Sequence, residues 1–190
     1  FVLSLIANNI NYNHFNLEVS KTRKNKFFLI ILKEINNLLK NLLLSFYEDY
    51  ALQAPYSYRC YPQIFESFYI IIENSKKIVN DELNTASDNP LLIENNFYSA
   101  GNFHGNTIST FSDHMKIHIF QVANISYERQ NHLLNPDFLT SKPGLSSGFM
   151  ISHYLTAHLL AELKTYTNYV SINNYPCLLY TSPSPRDRQK

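Results

Sequence analysis

Glycine is scarce: four residues in a chain of 190, with two cysteines and no tryptophan. A dinucleotide fingerprint or a phosphate-cradling loop needs several glycines within a few residues. Here Gly101 and Gly105 stand together, and Gly144 and Gly148 stand together, so neither loop can be built and the backbone peculiarities concentrate in two short segments. Two cysteines cannot form a disulfide framework, which fits a reducing compartment and a cytoplasmic location. Charge of one sign is also missing. Sixteen basic residues stand against fifteen acidic ones, for a net charge of +1, so no nucleic-acid partner is expected from bulk charge. Long apolar runs are absent too. The greasiest stretch, residues 27–46, is interrupted by Lys33, Glu34, Asn36, Asn37, Lys40 and Asn41, whereas a membrane span needs about 20 mostly apolar residues. No membrane association is expected. The opening FVLSLIANNINYN has no basic leader and no small-residue cleavage site, so no secretory signal is expected. It does not begin with Met, and the expectation is that the true start has been lost.

What is present is a helical protein. Hydrophobic residues make up 45% of the chain, enough for a sizeable core. Apolar residues recur every three or four positions over residues 27–47, 62–83, 107–134 and 145–170, the spacing of one helix face. Pro62 suits a first helical turn, and Asn106 or Thr107 can cap the third helix. Strand alternation is nowhere sustained, so the fold class is all-α, a bundle of long helices. Residues 84–105 form a long connection with a turn signal at Asn89–Pro90, and a connection of that length is rarely without purpose. Residues 1–176 read as one partial helical domain. Residues 177–190, rich in Ser, Pro and Arg, read as a disordered or non-native tail that resembles translated adapter sequence.

Three segments offer chemistry. In QAPYSYRCYPQ, Gln53, Tyr56 and Arg59 lie three residues apart. Arginine is a bidentate carboxylate holder and tyrosine a hydroxyl donor or acceptor, although composition alone favours a surface ion pair with packed rings. In SAGNFHG, two glycines flank Phe103 and His104, either a close approach to a ligand or a tight turn that buries Phe103. His114 and His118, preceded by Asp113, have metal-binding spacing on one helix face. With no third local ligand, a solvated face is expected and no metal. Cys60 reads as an inert thiol unless the fold brings His104 to it as a base.

In succession, PYSYRCYPQ, NTASDNPL, SAGNFHG, NISYERQNHLLNP and KPGLSSGFM resemble the histidine ammonia-lyase family, which includes the phenylalanine and tyrosine ammonia-lyases. The likeness runs over residues 1–176 and is strongest over 53–150. It implies long helices, a homotetramer whose active sites each draw on three subunits, and elimination of ammonia from an α-amino acid. It also implies an electrophilic methylidene-imidazolone formed from an internal Ala-Ser-Gly. By the same resemblance Arg59 holds the substrate carboxylate, Tyr56 lies near substrate and prosthetic ring, Gln53 lines the same pocket, and Phe103 lies against the ring and substrate. Asn89 is expected to be structural. No Ala-Ser-Gly occurs in these residues, and Ala54 stands where the family usually has Asp. The early segment FNLEVSKTRKNK follows the family pattern poorly, and the tyrosine base loop and a pocket glutamate motif are expected outside the chain. The expectation is a catalytically inactive internal fragment of an enzyme that converts L-histidine to urocanate, with His104 favouring histidine. A tyrosine or phenylalanine ammonia-lyase or aminomutase is the alternative, and a non-catalytic helical remnant is the third reading.

Overall fold

The computed structural model of the chain describes residues 15–40, 55–134 and 150–173. The bundle is built from α1 (Lys26–Lys40), the single turn α2 (Tyr56–Arg59), α3 (Tyr61–Leu83), α4 (Asn106–Leu133) and α5 (Met150–Thr165), with 3-10 turns at Leu17–Thr22 and Ser171–Asn173. The four long helices fall where the periodicity places them, except that α5 ends at Thr165 and residues 166–170, expected to be helical, form turns and bends. The expected stretches 41–47 and 145–149 lie outside the described residues.

α1 shows why the pattern works. Phe28, Ile31, Leu32, Ile35 and Leu39 are all buried and, with Phe15 and Tyr58, make the core cluster. Their three-to-four spacing puts them on one stripe. Asn25 starts the helix by accepting from Phe27 N at 3.0 Å. Buried Asn36 donates to Leu32 O at 2.7 Å and to Phe15 O at 2.9 Å, pinning the chain ahead of α1 to its side. An ion pair from Arg23 to the buried Glu66 ties the same segment to α3.

α3 and α4 pack along one another and run antiparallel. At one end Arg129 of α4 lies over the Tyr61 ring at the start of α3, 5.2 Å from its centroid. At the other, Asn102 Nδ2, just ahead of α4, donates to Ala86 O just past α3, at 3.1 Å. α5 folds back on α4. Gln130 donates to Ser152 Oγ at 2.6 Å, and His153 stacks on Tyr127 at 5.0 Å. The strap that follows is fastened by Ser171 N donating to Asp113 Oδ2 at 2.8 Å.

The connection before α4 departs from the all-helical expectation in one place. Strand β1 (Leu91–Ile93) pairs antiparallel with β2 (Asn96–Tyr98). Glu94 and Asn95 turn the chain with φ of 47° and 66°, the left-handed pair of a two-residue hairpin. Three-residue strands are too short to show alternation, and Glu-Asn is not the Asn-Gly signal such turns usually carry. Ala100 N donates to Asn89 Oδ1 at 2.9 Å, which closes the base of the hairpin and bears out a structural part for Asn89. Among the described residues no helix is long and apolar enough to cross a membrane.

Candidate functional site

Pro55 opens α2. Its carbonyl accepts from both Tyr58 N and Arg59 N at 3.0 Å. One helical turn then puts Tyr56 and Arg59, three residues apart, on the same side. The Arg59 guanidinium lies 5.1 Å from the Tyr56 ring centroid, a cation–π contact that restrains an otherwise flexible side chain. Tyr56 is 72% exposed and Arg59 is half-buried. The pair therefore faces outward from this chain, with the guanidinium fork free in geometry to meet a planar anion.

The inner side of the same turn is buried. Tyr58 has no exposed surface, and its ring lies 5.9 Å from His132 of α4. Arg129, also buried, sits over Tyr61 and places Nη2 3.4 Å from Ser126 Oγ. Burial pushes the Tyr61 phenol above its ordinary value, the Arg129 charge partly offsetting this. Burial likewise lowers Arg129, against the pull of Tyr61 and Tyr58.

Phe103 lies in a separate turn. His104 N donates to Gly101 O at 3.0 Å, and Asn106 N donates to His104 Nδ1 at 3.2 Å. The imidazole thus satisfies a backbone donor that the start of α4 would otherwise leave without a partner. Phe103 is 60% exposed, so of the two readings of this segment the one that buries Phe103 does not hold. A Cβ at Gly101 or Gly105 would meet nothing within 4 Å among the described residues.

Two of the sequence-picked residues come together and one does not. Tyr56 and Arg59 precede α3, whereas Phe103 follows it and precedes α4. The 23 residues of α3 span about 35 Å at 1.5 Å per residue. Phe103 is therefore at the opposite end of the bundle from Arg59. His104 is there too, so it cannot serve as a base for Cys60. Gln53 lies outside the described residues. In the histidine pair, His118 Nδ1 donates to His114 O at 2.8 Å. No group of three potential metal ligands occurs among the described residues.

Asp113, which the sequence presents only as a neighbour of those histidines, is strongly perturbed. It is 2% exposed, pairs with Lys116 at 2.5 Å and accepts from Ser171 N. Lys116, then the Ser171 donors, hold its carboxyl well below the usual carboxylate range. The i,i+3 Asp-Lys spacing was the available signal. Ser171, 58 residues away, was not legible.

The family model described as "Aromatic amino acid lyase" matches residues 1–179. Histidine ammonia-lyase of Bacillus cytotoxicus is 34% identical over 171 residues, covering 85% of this chain and 34% of that protein. Histidine ammonia-lyase of a Geobacillus species is 40% identical over 136 residues, covering 67% and 27%. Among solved structures, histidine ammonia-lyase from Trypanosoma cruzi superposes with a TM-score of 0.73 at 29% identity, covering 88% of this chain and 33% of that one. Phenylalanine ammonia lyase from Rhodosporidium toruloides gives 0.81 at 19% identity, over 92% and 28%, a likeness of fold. The chain spans about a third or less of the length of these curated relatives.

Proposed function

Since the chain belongs to the aromatic amino acid lyase family, we propose that it is the carboxylate-holding and ring-packing part of a histidine ammonia-lyase, which eliminates ammonia from L-histidine to give urocanate. The observation that carries the site is the half-buried Arg59 guanidinium held against the exposed Tyr56 ring. The identity to histidine ammonia-lyases supports the substrate.

The chemistry sets three needs. The β-carbon proton is barely acidic, the amine is a poor leaving group, and the substrate must be fixed while both bonds break. Arg59 meets the last by forking onto the substrate carboxylate, and Tyr56 restrains the fork and lines the pocket beside it. Phe103 offers an exposed aromatic face that packs against substrate and excludes water, and the family resemblance assigns Gln53 to the same pocket. Activating the amine is the task of a methylidene-imidazolone electrophile. These residues do not fit it: they contain no Ala-Ser-Gly from which it could form. It is therefore supplied by sequence outside these 190 residues, and this chain alone is inactive.

Arg59 and Phe103 stand at opposite ends of α3, a helix of 23 residues and so about 35 Å long, far more than one amino acid spans. A single pocket that uses both must take them from different copies, which supports a homotetramer with shared sites.

The test is made in the complete lyase polypeptide. Arg59→Ala should lower kcat/KM by roughly 30-fold or more, as expected when a charged partner is removed from a desolvated pair. Arg59→Lys should also impair it, since the charge stays and the fork is lost. Wild-type kcat/KM in both variants would overturn the assignment. Formation of urocanate over coumarate, cinnamate or a β-amino acid separates histidine ammonia-lyase from the tyrosine or phenylalanine lyases and the aminomutases.

A further inference from the structure

Arg59 is one of two arginines stacked on tyrosines around α2. The other, Arg129, comes from α4 and is buried. It lies over Tyr61, two residues after Arg59. Tyr58, the residue before Arg59, is buried on the same side, and its ring meets His132, three residues after Arg129 on α4. The turn carrying Arg59 is thus held at both flanks by one face of α4.

We infer that Arg129 is a positioning residue for the carboxylate site: its guanidinium, lying over Tyr61 on the same α4 face whose His132 meets the buried Tyr58 ring, fixes the α2 turn and with it the direction of the Arg59 fork. The inference rests on the reading of Arg59 as the carboxylate holder. A planar, always-charged group suits this work. It stacks on a ring face as an ammonium does less well, and its fork limits the geometries it accepts. A short helix such as α2 has few hydrogen bonds of its own, so its orientation is set by what Tyr58 and Tyr61 pack against.

The experiment uses the complete lyase polypeptide with Arg129→Lys, Arg129→Met and Tyr61→Leu, each alone and combined with Arg59→Lys. Circular dichroism and gel filtration report folding. If Arg129 acts through Arg59, Arg129→Met and Tyr61→Leu should raise KM for the amino acid by roughly tenfold, as for loss of a desolvated cation–π contact, and change kcat much less. Arg129→Lys should fall between these variants and wild type. In the Arg59→Lys background the same changes should add little, because coupled residues are not additive. Full additivity in the double variants, or unchanged KM in folded Arg129→Lys and Arg129→Met proteins, would overturn the inference. If Arg59→Lys alone leaves KM and kcat untouched, it is the reading of Arg59 that fails. Should Arg129→Met not fold, Arg129→Lys and Tyr61→Leu carry the same comparison.

Discussion

Asp113 shows how a residue's environment sets its chemistry. Lys116 and the Ser171 donors stabilise its charged form, so its folded carboxyl ionises at lower pH than an unfolded one, near 3.9. With a depressed folded value, its contribution to stability is fully present above that unfolded range and is lost as pH falls through the folded value. Protection of the Ser171 amide, corrected for intrinsic exchange, should therefore hold at neutral pH and decline below about pH 4. In Asp113→Ala it should be low throughout. Equal protection in both proteins would contradict the latch. At this scale the sequence was partly legible. Tyr56 and Arg59 could be paired from a spacing of three, because one helical turn joins them. The exposure of Phe103 and the depth of Asp113 depend on contacts tens of residues away, which spacing does not encode.

Elements were legible where one face carried the signal. α1 and α3 announce themselves by apolar spacing over several turns, and their positions follow from burial of that stripe. The β1–β2 hairpin did not, because six residues cannot display a period and the turn uses Glu94 and Asn95 at positive φ. That conformation costs little for glycine or asparagine and more for glutamate. Changing Glu94→Asn with Asn95→Gly should raise the protection of the Ile93 and Asn96 amides by roughly two- to fivefold, corresponding to about 0.4–1 kcal/mol. Asn95→Val should lower it. A double variant that loosens the hairpin would show that this turn is not set by its own backbone preferences.

For the whole molecule, the apolar surface is only partly covered. Ile151 and Ile172 are 72% and 75% exposed, and Phe65, Phe68, Ile71 and Ile72 of α3 are only half-buried. Exposed apolar area of this kind favours association. The 190-residue chain alone should show helical circular dichroism with a broad melt or soluble oligomers. A sharp two-state transition from a monomer at all concentrations would contradict this. Incubated with histidine, tyrosine or phenylalanine, it should give no conjugated-acid absorbance above a buffer blank. The helix that separates Arg59 from Phe103, α3, was legible in the sequence. That Phe103 stays at the far end of α3 follows only once Asn102 is seen bonded to Ala86 there. The most direct measurement is therefore complementation in the complete polypeptide. Arg59→Ala and Phe103→Ala subunits, each inactive alone, are co-expressed as mixed oligomers. With the two residues drawn from different copies, random mixing leaves roughly a quarter of the sites with both intact, and activity should return to about that fraction. No recovery from confirmed mixed oligomers would contradict the shared site.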